Sequence, residues 1–117
     1  VKEEKVLLID DFRNFDGVTI ARTYQEGIEA LEAGGPWDLL MLDHDLGCYD
    51  FEKGREMTGY DVVCWLEEHP GKLPKRVQLV SANPSGVERM SRGLRNLYKK
   101  IDSLREFSDP VKTEDNC

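Results

Sequence analysis

The chain predicts an α/β fold, a three-layer sandwich around a mainly parallel sheet. Three observations carry this expectation. Short continuous apolar runs recur, Val6-Leu7-Leu8-Ile9 and Leu39-Leu40-Met41-Leu42, and Val77-Gln78-Leu79-Val80 is a third such stretch broken only by Gln78, as in strands buried on both faces. Helical periodicities fall between them. Two of the runs end directly in acidic residues, Asp10-Asp11 and Asp43-His44-Asp45, at the carboxyl ends where open α/β sheets form their sites.

The elements follow in order. Lys5 to Ile9 is a first strand and Val18 to Arg22 a short second one. Only Asp10 to Gly17 joins them, whereas a parallel crossover usually needs about a dozen residues. Either an irregular loop crosses over or the second strand pairs antiparallel. Thr23 and Glu26 have capping-box spacing for a helix with Ile28 and Leu31 on its apolar side. Gly34-Gly35-Pro36 stops that helix. Asp38 to Leu42 is the third strand. The polar, glycine-containing stretch from Gly47 to Thr58 has no periodicity and reads as a long loop, a lid over the strand ends. Tyr60 to His69 is helical, and Pro70-Gly71 ends it. Arg76 to Val80 is the fourth strand. Pro84 suits a helix first turn, and Met90, Leu94, Leu97, Ile101 and Leu104 extend that helix to Phe107. Trp37, Trp65 and Met90 are expected in the core. His69 reads as a cap at a helix end.

Residues 1–107 are thus expected to form one domain, and 108–117 a flexible tail. A chain of 117 residues supports one modest core. No apolar run of about 18 residues predicts a membrane span, and no secretory signal opens the sequence. Its three cysteines, Cys48, Cys64 and Cys117, lack metal-ligand spacing and an even-numbered disulfide framework, so a cytoplasmic location is expected. A formal net charge of −7 argues against long nucleic-acid duplexes, which need a basic surface. A small phosphorylated ligand, or an RNA end reached through a metal, remains compatible. Nothing in the pattern speaks to oligomeric state.

If the first and third strands are neighbours, Asp10, Asp11, Asp43 and Asp45 converge. Such carboxylates repel one another unless a cation neutralises them. Oxygen-only ligands suit Mg²⁺ or another divalent ion such as Mn²⁺ or Ca²⁺. Asp10, Asp11 and Asp43 are the expected metal ligands. Asp45 either completes that shell or acts as a general base. His44 brings an imidazole, a side chain suited to protonating a leaving oxygen. In an extended segment, however, it points away from Asp43 and Asp45 and is then structural. Arg13 offers a guanidinium fork to phosphate oxygens, and Ser81 and Asn83 add neutral donors beside a helix start. Arg13 equally balances the acids, and Ser81 and Asn83 equally serve a turn. Nothing marks Cys48 as a nucleophile.

The frame Val6 to Asp11, Asp38 to Asp43 and Val77 to Ala82 resembles a response-regulator receiver (CheY-like) domain, here truncated. That resemblance implies Mg²⁺ at Asp10, Asp11 and Asp43, phosphorylation of Asp43, and a phosphoryl contact from Ser81. The first receiver helix is missing, the segment after the third strand is long, and no fifth strand ending in lysine is evident. Asp10-Asp11-Phe12-Arg13, Leu42 to Gly47, Thr58 to Asp61 and Ser81 to Gly86, followed by Met90, are closer to the cyclic-phosphate processing receiver-like family. That likeness implies action on a cyclic phosphate. The family often carries a histidine where this chain has Val80. Haloacid-dehalogenase-type phosphatases match less well, because they need a lysine and further aspartates on later strands of a larger domain, and toprim nucleases match less well because Gly47 sits one residue too early. Three functions follow: a metal-dependent phosphoesterase using Asp43, His44 and Asp45, a phosphoacceptor switch at Asp43, or a non-catalytic binding module.

Overall fold

The computed structural model describes residues 4–101 and 109–113. Its strands are β1 (Val6–Ile9), β2 (Thr19–Ala21), β3 (Leu39–Leu42), β4 (Asp45–Asp50), β5 (Arg55–Thr58), β6 (Arg76–Leu79) and β7 (Val111–Thr113). The helices are α1 (Tyr24–Ala33), α2 (Gly59–Glu68) and α3 (Pro84–Ile101). The main sheet has the order β2-β1-β3-β6-β7 and every pairing in it is parallel. This is the expected mainly parallel α/β architecture of the receiver type. Among the described residues no helix is long and apolar enough to cross a membrane.

Alternation along the strands decides what they bury. Leu7, Ile9, Leu40, Leu42, Val77, Leu79 and Val111 share one core with Ile28 and Leu31 of α1, Val62, Val63 and Leu66 of α2, and Met90 and Leu94 of α3. All three helices therefore cover the same face of the sheet, and the described residues show two of the expected layers. Trp37 and Met90 are buried, and Trp65 packs at the core's edge. His69 stacks on Trp65 and its Nδ1 lies 2.9 Å from the Trp65 carbonyl oxygen, at the end of α2.

The short link after β1 does cross over in parallel. It needs no helix because side chains bind its backbone. Asp10 Oδ1 accepts from the N–H groups of Phe12 and Arg13, both at 2.9 Å, which forms an Asx turn. From β2's exit, Arg22 donates through one Nη1 to the carbonyls of Arg13 (2.8 Å) and Asp10 (3.3 Å), and through Nη2 to Asn14. Thr23 caps α1, accepting from Glu26 N–H at 3.1 Å, while the Glu26 carboxylate accepts from Arg22 N–H.

Two expectations need correction. The stretch from Gly47 to Thr58 is not an irregular loop but the antiparallel hairpin β4–β5 with a register shift between Asp45 and Cys48. Only Leu46 and Met57 are buried along it, too few for a period-2 signal. The turn closes where Gly54 N–H donates to the Asp50 carbonyl and Asp50 Oδ1 accepts from Glu52 and Lys53. Nor is the whole of 108–117 an unstructured tail, because β7 extends the sheet at the β6 edge. One buried apolar residue, Val111, is all that marks it. Val77 N–H donates to the Pro110 carbonyl, and Arg95 of α3 holds Asp109 and the Val111 carbonyl. β7 is thus a fifth sheet strand. Lys112 on it pairs with Gln78, three positions short of Ser81, and is not at the strand end. The expected continuation of α3 beyond Ile101 lies outside the described residues.

Candidate functional site

β1 and β3 pair in register, Ile9 opposite Leu42, so the residues that follow them leave the sheet side by side. Asp43 N–H donates to the Ile9 carbonyl at 3.0 Å. Asp10 is 0% and Asp43 3% exposed. Asp10, Asp11 and Asp43 each offer a carboxylate oxygen within 4.8 Å of the others. Burial, and then the negative charge of Asp10, push the Asp43 carboxyl above the usual carboxylate range. A hydrogen bond from Ser81 and the charge of Arg13 pull the other way without cancelling the rise. Arg13 Nη1 lies 2.9 Å from Asp10 Oδ2 and 3.6 Å from Asp43 Oδ2. The guanidinium therefore balances the buried pair and also stands at its mouth.

Asp45 goes elsewhere. It is an exposed residue at the start of β4, and its Oδ1 lies 2.9 Å from His44 Nδ1. The Asn83 amide nitrogen approaches His44 Nδ1 at 3.4 Å and Asp45 Oδ1 at 3.5 Å. The expectation that four acids share one centre is thus met by three, and the fourth orients the imidazole. His44 packs against the start of α3, and its Nδ1 faces Asp45 rather than pointing away from it as the extended-segment reading expected. A Cβ on Gly86 would run into the His44 ring, so glycine at this helix start is what admits the histidine. Asn83 caps α3, its Oδ1 accepting from Gly86 N–H at 3.0 Å. Its carbonyl end is therefore committed to the helix. Its backbone N–H donates to Ser81 Oγ at 3.1 Å. Gly59 is equally constrained: a Cβ there would strike the Asp43 carbonyl oxygen.

Residues not anticipated from the sequence frame this centre. Gly47, with φ +69°, lets β4 pass the acids, and a Cβ on it would lie 3.2 Å from Asp11 Oδ2. The Phe12 ring stacks on the Arg13 guanidinium at 5.0 Å. Phe12, Phe15, Tyr49 and Phe51 are all exposed, two on the link after β1 and two on the hairpin. Aromatic residues inside otherwise polar segments were the available signal. Thr58 and Asp61 form a capping box for α2, and Arg55 makes a two-pronged ion pair with Asp61. That pair fixes the hairpin's return strand to the helix.

Solved structures carry the same fold. A fusion of a yeast Spc42 trimeric coiled-coil segment to another structure superposes with a TM-score of 0.55 at 20% identity. The match covers 79% of this chain and 61% of that one, and at this identity it speaks to fold alone. No curated protein matches. The family model described as "Cyclic-phosphate processing Receiver domain" matches residues 5–96, which include the ends of β1, β3 and β6 but not β7. The chain belongs to the cyclic-phosphate processing receiver domain family.

Proposed function

We propose that this domain opens a cyclic phosphate ester with the help of a divalent cation held by Asp10, Asp11 and Asp43. The observation that carries the reading is the convergence of these three carboxylates, two of them buried, with Arg13 at their edge. The donor set fits a hard divalent ion, being oxygen only, and the upward push on Asp43, from burial first and then from the charge of Asp10, is one that a nearby cation opposes. When bound, such an ion polarises a phosphoryl oxygen and favours ionisation of water.

The chain's own groups supply the rest. Arg13 swings from the carboxylates to the non-bridging phosphate oxygens, for which its fork is suited. The Ser81 hydroxyl offers a further hydrogen bond. Water adds to phosphorus, one ring P–O bond breaks, and a phosphomonoester with a free hydroxyl results. The proton lost by water and the proton gained by the leaving oxygen balance. His44, held at Nδ1 by Asp45, is assigned to that proton movement. Incubation with Mg²⁺ or Mn²⁺ and a panel of cyclic phosphates, RNA ends and cyclic nucleotides among them, tests the reading. Turnover above an Asp43→Ala control is expected, and its absence across the panel overturns it.

The hydrogen bond from Ser81 to Asp43 favours a second reading, phosphorylation of Asp43 as in a receiver switch. A beryllofluoride complex, or an acid-stable and base-labile adduct from a small phosphodonor, is its expected signature. Failure to form either removes it.

A further inference from the structure

At the same end of the sheet as the acid cluster, a cleft of about 280 Å³ lies between the start of α1 and the β4–β5 hairpin. Its walls include Tyr24, Cys48 and Met57, and its outer edge carries Tyr49 and Phe51. Pockets for drug-sized ligands run to about 300–1,000 Å³, so this one has room for a single planar ring system. Tyr49 and Phe51 are 53% and 88% exposed, and their ring centroids stand 5.0 Å apart at 60°. Two exposed rings in mutual contact at the edge of a cleft form the kind of apolar patch that marks a ligand groove. The cleft and the site are also one residue apart along β4. Cys48 follows Gly47, whose Cα faces Asp11 Oδ2 closely enough that a Cβ would come to 3.2 Å, and adjacent Cα atoms are about 3.8 Å apart.

We infer that this cleft seats the nucleobase of a nucleoside cyclic phosphate while the phosphate lies at Arg13 and the carboxylates. The inference rests on the proposed phosphate chemistry and narrows its substrate to one bearing a base. The base enters against Tyr24 and Met57, and Tyr49 or Phe51 closes over its free face. Every nucleobase has such a face, so stacking holds the base without selecting its identity. Thr23 and Gln25, which also line the cleft, provide polar groups for its edge. A cyclic phosphate on a base-free sugar leaves the cleft empty and loses that contribution.

The probe is 2-aminopurine riboside 2′,3′-cyclic phosphate, whose fluorescence falls when its base stacks. Wild-type protein with Mg²⁺ is expected to quench it saturably. Phe51→Ala and Tyr49→Ala, and the double variant most strongly, are expected to bind it about tenfold more weakly or worse. Both side chains are exposed, and an unchanged melting temperature checks that the variants are folded. Phe51→Tyr retains a stacking face and restores quenching. Absent quenching by wild type, or equal affinity in the double variant, overturns the base seat. Turnover of a base-free ribose cyclic phosphate, measured in parallel, reports on the phosphate chemistry alone. Turnover without quenching therefore sinks only the base seat, and quenching without turnover sinks only the catalysis. An oligonucleotide ending in the same modified residue separates the two sources, since the tighter ligand of the pair names a free nucleotide or an RNA terminus.

Discussion

Asp43 is costly to keep ionised. Its carboxyl sits above the usual range because it is buried and faces Asp10. An acid whose folded value is raised binds more protons when folded than unfolded. Stability therefore falls as pH climbs from the ordinary carboxylate value through the raised one, and the loss persists at neutral pH. Asp43→Asn is expected to raise the melting temperature at pH 7 and to flatten the profile below it, as thermal melts across pH will show. A variant no more stable than wild type contradicts this. Gly59→Ala forces a methyl onto the Asp43 carbonyl oxygen and is expected to cost about 1–3 kcal/mol in urea melts. At this scale the sequence was readable for Asp10, Asp11, Asp43 and Arg13, because loop residues after parallel strands share one end. The different path of Asp45 was not, since it depends on the strand that begins there. The closeness of Gly59 and Gly86 to the site was also hidden, because their neighbours are distant in the chain.

Among the elements, the hairpin and α2 act together. Thr58 accepts from Tyr60 N–H at 3.2 Å, and Asp61 accepts from Thr58 N–H at 2.8 Å and from both terminal nitrogens of Arg55. Burial raises the Asp61 carboxyl, but its bonds to Arg55 and Thr58 outweigh that and hold it below the usual range. Its stabilising contribution is therefore present above the ordinary carboxylate value and lost as pH falls through the lowered one. Thr58→Ala is expected to cost about 1 kcal/mol at pH 7, and Asp61→Asn to destabilise at pH 7 more than at pH 3. Denaturant titrations at the two pH values check both. The capping signal at Thr23 and the stop at Gly34 were local, and so they could be read. The cap at Thr58 could not, because the hairpin that ends on it reads as a loop in the sequence. Nor could the hairpin and β7, because each is short and anchored by one or two buried residues whose partners lie far along the chain. The link after β1 went undecided for the same reason: Arg22 closes it from the next strand.

For the molecule as a whole, a formal charge of −7 and a self-repelling acid centre predict that divalent ions stabilise the fold. A ligand that binds only the folded state at a hundred times its Kd adds about 2.7 kcal/mol. Mg²⁺ is expected to raise the melting temperature of wild type but not of Asp10→Asn or Asp43→Asn. An equal rise in all three proteins would mean general charge screening and would remove the cation from the proposal. The alternation of strands and helices made the overall architecture readable, since the parallel sheet follows from it. The absence of a helix after β1 leaves that side of the site to side-chain bonds.

Arg22 is itself assigned no chemistry, yet three of its acceptors, the Asp10 and Arg13 backbone carbonyls and the Asn14 side chain, belong to the segment that delivers Arg13. Cutting this tether by Arg22→Ala leaves the carboxylates in place but lets the guanidinium wander. The cost then falls on capture of the anion, raising KM for a cyclic phosphate several-fold while kcat changes less. An unchanged KM would show that the loop holds its shape unaided.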